Sequence, residues 1–373
     1  MRIRPLFLLA ALAAGSLFAA EEKMADGVYA EFATPRGTFV VELNYQQAPM
    51  TVASFVGLAE GTIAPREGRP FFTGLKWYRV VPGFVIQSGD PDHEKNADKE
   101  DAGHPYTFPD EFVPGLRHGQ PGVLSMANAG PDTNSCEFFI TLGDDTRLNY
   151  MHSVFGHVFT GGEVLAKIQP NDAFSIRILR VGETGRAFQA DEVAFKARAA
   201  AAVKYSGEPE PGPAAHFDDP QKVLPTDVPR AKNFNYKLNN FQRATGRKLY
   251  ARVYATFAPE EESQTPAAFT QKLAGTLGIY ESGALAVYFA DRDEWQVWVG
   301  DALMPTFNPE RKRVSDLKKP LYAAVKTKAA EYTELARKTR GPDNPLKPAD
   351  LAKYSVDAML DLLIFQFEPK PKN

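Results

Sequence analysis

The stretch from Trp77 to Gly156 constrains this chain more than any other. Its first part, Trp77-Tyr78-Arg79-Val80-Val81-Pro82-Gly83-Phe84-Val85-Ile86-Gln87-Ser88-Gly89-Asp90, reads as two strands broken by Pro82-Gly83. Its second part, LSMANAGPDTNSCEFFITL from Leu124 to Leu142, is again strand-like and brings Asn128 and the pair Phe138-Phe139. Both mix apolar strand residues with polar groups that a plain core would not keep. Together they describe an apolar pocket with one guanidinium, Arg79, at its rim and no evident nucleophile.

These segments resemble the cyclophilin family of peptidyl-prolyl isomerases. The likeness rests on YRVVPGFVIQSGD, on PGVLSMANAGPDTNS followed by EFFITL, and on His152-Ser153-Val154-Phe155-Gly156. It extends over about residues 27 to 184, in the family's order and spacing.

With 373 residues the chain exceeds one typical core, so two domains are expected. Hydrophobic residues at 44% suit a globular protein, and a net charge of −3 gives no reason to expect nucleic acid or an anionic membrane as partner. Residues 1–20 read as a signal peptide: Arg2 and Arg4, an apolar run from Leu6 to Ala14, then small residues to Ala19-Ala20. That run is shorter than the ~20 residues a spanning helix needs. A cleaved leader, a periplasmic or secreted location and no membrane span in the mature chain are therefore expected. Cys136 is the one cysteine, so no internal disulfide can form, and it reads as a small buried residue.

Val28–Phe32 and Gly37–Leu43 alternate like paired strands around Thr34-Pro35-Arg36-Gly37. A helix is expected next, capped by Thr51, with Val52, Phe55, Val56 and Ala59 on one face and Gly61 as its stop. Asp90 to His104 reads as a charged, solvated loop rather than a metal site. His118 reads as structural. Gly162–Ile168 reads as a second helix and Phe174–Val181 as a last strand. The fold expected is a mainly β closed antiparallel barrel with two capping helices, cyclophilin-like, followed by a C-terminal α/β domain. Residues 185–230, Ala-rich and then Gly-Glu-Pro-Glu-Pro-Gly-Pro, read as a helical and Pro-rich linker. Residues 231–373 alternate helices with strands. Their order, with Asp291-Arg292 and Gly300-Asp301, faintly resembles the TPM domain, some members of which are described as phosphatases. Asp291 and Asp293 read as hairpin-turn residues.

The resemblance implies an isomerase of X–Pro peptide bonds without cofactor or metal. Arg79 would act on the bond, with Gln87 orienting it and Phe84 beside it. Val85, Phe139, Leu148 and His152 would form the slot for the proline ring, with Ala127, Asn128 and Glu137 along the groove. The partners expected are proline-containing polypeptides, and the chain is expected to be a monomer. Several positions depart from the family, among them Ser135-Cys136, where Gly-Ser is common. Glu137 stands where Gln is usual, which would either pair with Arg79 or orient it. Arg147 stands where many members carry Trp, implying weak binding of cyclosporin-type inhibitors. Tyr78 replaces a commoner His, with no role expected. Two other readings compete: a module that binds Pro segments with little turnover, and a bifunctional protein with a C-terminal hydrolase.

Overall fold

A computed structural model describes residues 24–93, 104–205, 210–225, 230–259 and 265–370, with only the backbone given for 230–233. The expected leader, most of the charged loop (94–103) and residues 207–209 of the Pro-rich stretch lie outside the described residues.

The first unit is an antiparallel sheet of eight strands: β1 (Gly27–Thr34), β2 (Gly37–Leu43), β3 (Arg79–Val81), β4 (Val85–Ser88), β5 (Val123–Met126), β6 (Phe138–Thr141), β7 (Val154–Thr160) and β8 (Ser175–Val181). The hydrogen-bonded order is β3-β4-β6-β5-β7-β2-β1-β8. The sheet curls until its two edges meet. A bridge joins Lys76 to Ala173, and Trp77 exchanges backbone bonds with Asn171 and Asp172. The barrel thus closes through residues flanking β3 and β8 rather than through a full ladder between them.

Alternation decides what fills it. Val28, Ala30 and Phe32 of β1 point inward, and Phe32 pairs with Phe39 of β2, their rings stacked at 4.8 Å. Phe138 of β6 meets Phe32, Phe55, Phe72, Trp77 and Phe174, so the interior is a single aromatic cluster. Each such ring contributes roughly 1.5–3 kcal/mol by leaving water.

Helix α1 (Pro49–Glu60) covers one end through Phe55. Thr51 is not its cap. Ala48 holds the cap position without a side-chain bond, and Thr51 lies within the first turn. The carboxylate of Glu111 does the capping, accepting from the backbone N–H of Met50 and Thr51 and from Thr51 Oγ1 at 3.2, 2.8 and 2.7 Å. A negative group at this end also complements the helix dipole. Gly61, in the left-handed region at φ 77°, stops the helix as expected. The stretch expected as a second helix, 162–168, is a 3-10 turn over Gly162–Lys167. After a short α2 (Gly182–Ala187), α3 (Glu192–Ala201) packs on α1 and places Phe195 against Tyr106 and Phe108 in the barrel core.

The second unit is a four-stranded mixed sheet in the order β12-β11-β10-β9, from β9 (Phe217–Asp218), β10 (Lys248–Tyr254), β11 (Gly283–Phe289) and β12 (Glu294–Val299). β10 runs parallel to β9 and β11, and β11 antiparallel to β12. β11 is buried throughout because both faces are covered. Ala284, Ala286 and Tyr288 face α4 (Arg230–Thr245), α7 (Val314–Arg340) and α8 (Pro348–Phe367). Leu285, Val287 and Phe289 face α5 (Pro266–Thr276). A short α6 (Met304–Phe307) precedes α7. The Pro-rich approach to β9 is pinned by buried Arg252, whose guanidinium donates to the carbonyls of Pro213, Ala215, His216 and Ala251.

The two units share a polar seam. Glu368, just past α8, accepts from the Gly115 N–H at 3.0 Å, from Arg117 and from the Tyr150 hydroxyl. Asn240 donates to the Tyr150 carbonyl at 2.7 Å, and Tyr236 donates to Asp110. Lys237 and Asp361 form a buried ion pair, and Lys237 also donates to the Arg147 carbonyl at 3.1 Å.

Candidate active site

The β3–β4 hairpin pairs Arg79 directly with Gln87, and β4 pairs Gln87 with Phe139 of β6. This register gathers residues far apart in the chain. Arg79 Nη1 donates to Gln87 Oε1 at 2.8 Å, and the guanidinium sits 5.5 Å from the centre of the Phe84 ring. Burial lowers the Arg79 pKa, and nearby Arg147 adds to this. It nevertheless remains cationic, as arginine does in proteins.

Next to it lie Val85, buried, and Phe139, buried and edge-on to His152 at 5.4 Å. Nδ1 of His152 donates to the Met126 carbonyl at 3.0 Å, which fixes the ring. Leu148 ends a 3-10 turn, Thr146–Leu148, and is half-buried. Asn128 directs its side chain to the Met151 carbonyl at 2.9 Å, while the Ala127 N–H donates to the Glu137 carbonyl oxygen at 3.1 Å. His118 stays behind this wall. It is fully buried, stacks on Phe139 at 5.8 Å and lies 3.0 Å from Ser125 Oγ. Burial drives its pKa down to about 3, which keeps it neutral.

Glu137 makes no hydrogen bond or ion pair with Arg79 among the described residues. Its carboxylate accepts from the Tyr78 hydroxyl and from Gln87 Nε2 at 3.3 Å, so it reaches the guanidinium through Gln87. Burial alone would raise its pKa, but bonds from His104, Tyr78 and Gln87 outweigh this and hold it below its usual value. Tyr78, given no role by sequence reasoning, is thus one end of a relay from Tyr78 and Glu137 through Gln87 to Arg79.

Arg147 is the second residue whose place the sequence did not disclose. Its guanidinium lies 4.6 Å from the centre of Phe84 and 5.9 Å from that of Tyr332 of α7, so Phe84 faces two arginines. Arg147, Leu148, Met151 and His152 also line a cavity of about 120 Å³ with Phe234, Lys237 and Asp357 of the second unit. A larger cavity of about 450 Å³ lies between Val80, Pro82 and the 3-10 turn at 162–167, and includes none of the expected site residues. Asp293 accepts from the Tyr288 hydroxyl within its hairpin, while Asp291 accepts from Thr256 Oγ1 in the segment after β10.

Fold and site together define a curled antiparallel barrel carrying an apolar slot with a fixed cation at its mouth, a site suited to handling a neutral, ring-bearing segment of polypeptide. The model of the cyclophilin type peptidyl-prolyl cis-trans isomerase family matches residues 29–183. Over 132 residues the chain is 43% identical to peptidyl-prolyl cis-trans isomerase A of Mycobacterium tuberculosis, covering 34% of this chain and 70% of that protein. It is 39% identical over 152 residues to peptidyl-prolyl cis-trans isomerase B of Streptomyces anulatus, covering 39% and 83%. A crystal structure of a Cryptosporidium parvum cyclophilin type isomerase matches with a TM-score of 0.35 and 27% identity over 42% of this chain and 98% of that one. The chain belongs to the cyclophilin type peptidyl-prolyl cis-trans isomerases.

Proposed function

We propose that this isomerase is exported and assists the folding of proteins outside the cytoplasm, with Arg79 as the group that lowers the barrier. The leader-like residues 1–20 support export, and among the described residues no helix is long and apolar enough to cross a membrane. Residues 27–184 form the isomerase unit in this reading. Residues 231–373, with β9 added to their sheet from the preceding stretch, form a second, TPM-like unit, a likeness supported by the order β10–α5–β11–β12.

The peptide bond resists rotation because the nitrogen lone pair is delocalised, with a barrier of ~18–20 kcal/mol. At X–Pro the isomers are close in energy but exchange slowly. Rotation localises the lone pair on nitrogen, and a donor aimed there binds the twisted state better than either planar one. No covalent step is needed. Phe84, Val85, Phe139, Leu148 and His152 take the proline ring. Ala127, Asn128 and Glu137 line the segment before it, and Gln87 holds Arg79 in line.

The observation that carries this reading is the Gln87-held guanidinium beside Phe84, on the β3–β4 hairpin next to β6. The test is two-dimensional NMR exchange on a short Ala-Pro peptide. Arg79→Ala should lower kcat/KM by roughly 100-fold or more, about 2.7 kcal/mol of transition-state stabilisation, while the circular dichroism stays native. Full retention of activity would sink the mechanism. A second reading, a Pro-segment binding module with little turnover, draws on the cavity that the second unit shares with Leu148 and His152. Peptide binding without exchange enhancement in the wild type would favour it.

A further inference from the structure

Two places where the chain departs from its family, Glu137 and Tyr78, touch each other, and two further ligand-type residues converge on them. Asp90, His104 and Glu137 each offer a ligand atom, and these atoms lie within 4.8 Å of one another. We propose that Asp90, His104 and Glu137 form a binding site for a divalent transition-metal cation, joined to Arg79 through Gln87.

The backbone builds this site. Gly89 has φ 115°, and a Cβ there would stand 2.2 Å from the Cys136 carbonyl oxygen. Only glycine lets the end of β4 lie flat on Cys136-Glu137, and that approach sets the next residue, Asp90, beside Glu137. The free faces of the two carboxylates are the ones that remain. Glu137 Oε1 is taken by Tyr78 and Gln87, while Oε2 lies 3.4 Å from His104 Nε2. Asp90 Oδ1 is taken by the Asp92 N–H, and among the described residues no hydrogen bond is made to Oδ2. His104 and Glu137 retain only 7% and 17% side-chain exposure, so the cluster is largely shielded from water. A cavity of about 240 Å³, lined by Tyr78, Asp90 and His93, opens at its edge and gives an entry path.

The plain alternative is an ion pair between His104 and Glu137. It leaves a second carboxylate, Asp90, next to the first; His93 and His104 both face Asp90, but Glu137 opposes them, since carboxylates sharing a site repel. A divalent cation neutralises the pair together. One imidazole and two carboxylates suit Zn²⁺, with a position left open for water, better than Mg²⁺ or Ca²⁺, which take oxygen ligands. Tetrahedral ligation at ~2.0–2.2 Å sets ligand atoms roughly 3.4 Å apart, the spacing His104 Nε2 and Glu137 Oε2 already have, and the wider cluster closes to it around the ion. A bound cation fixes the Glu137 carboxylate and through it Gln87, so it acts as a positioning device for Arg79 rather than on the substrate.

Binding is read directly and independently of turnover. The whole chain, stripped with chelator, is titrated with ZnCl₂ by calorimetry, and the histidine side-chain NMR signals are followed. One equivalent should bind with the His104 signal moving, and MgCl₂ should give no heat. Glu137→Gln and His104→Ala should each weaken Zn²⁺ at least about 10-fold. Asp90→Asn, the mildest change, gives the same reading should either of the others fail to fold. Equal Zn²⁺ affinity in wild type and Asp90→Asn, movement of another histidine instead, or no heat with the wild type would overturn the proposal.

Discussion

Changing Lys237 to Met tests how the second unit is held against the site. Lys237 and Asp361 are 1% exposed at their side chains. Asp361 also accepts from the Tyr332 hydroxyl at 2.5 Å, and that hydroxyl lies 3.0 Å from Thr146 Oγ1, one residue from Arg147. Burial already raises the Asp361 carboxyl above its ordinary range, with Lys237 pulling it back. Lys237→Met removes that pull and leaves a buried carboxylate with one hydroxyl, so about 3–5 kcal/mol of stability should be lost. The double variant Lys237→Met/Asp361→Leu buries no charge, and Tyr332 keeps Thr146. It should be near neutral or more stable than wild type.

The pH dependence of the single variant follows from the same group. A carboxyl whose folded pKa lies above its unfolded one holds its proton more tightly in the native state. Its stabilising contribution is complete at low pH and is lost as pH rises through the folded pKa. The deficit of Lys237→Met should therefore shrink on going from pH 8 to pH 5, by at most about 1.4 kcal/mol per pH unit. Urea unfolding followed by tryptophan fluorescence measures this. Trp77 reports the barrel, and Trp295 and Trp298 report the second sheet. A single-variant loss below about 1 kcal/mol, or a double variant as unstable as the sum of its singles, refutes the account.

Two further expectations concern Arg147 and its neighbour. Arg147→Trp should raise cyclosporin affinity by at least about 10-fold, or 1.4 kcal/mol, by placing an indole over Phe84, and an inhibition titration checks it. Asp145 is 1% exposed, and burial lifts its pKa to about 7, against the opposing pull of Arg147. Its folded pKa lies above its unfolded one, so its protonated form favours the fold. Wild type should lose up to about 4 kcal/mol relative to Asp145→Asn between pH 4 and 7, as measured by urea midpoints.

Much of the first unit was legible because its signals are local. Alternating apolar residues set β1 and β2, Pro82-Gly83 marked the turn between β3 and β4, and the ordered segments around Arg79, Asn128 and Phe139 carried the family likeness. In the second unit, apolar periodicity likewise placed α5, α8 and the β11–β12 hairpin close to where they stand. Capping was misread because the group that satisfies the start of α1 is Glu111, sixty residues downstream of Thr51, and local spacing holds no record of it.

The order of apolar and turn residues by itself determined short paired strands and the turn at Pro82-Gly83, since period-2 alternation leaves little choice, and the family likeness of those segments pointed to Arg79, Gln87, Phe84 and Phe139 as one site. Only the tertiary structure decided that Glu137 meets Gln87 and His104 rather than Arg79, that Asp90 lies against it, and that α4, α7 and α8 brace the loop carrying Arg147 and Leu148. Those contacts arise where separate elements are packed together. They depend on distances set by the whole core, which no window of sequence contains.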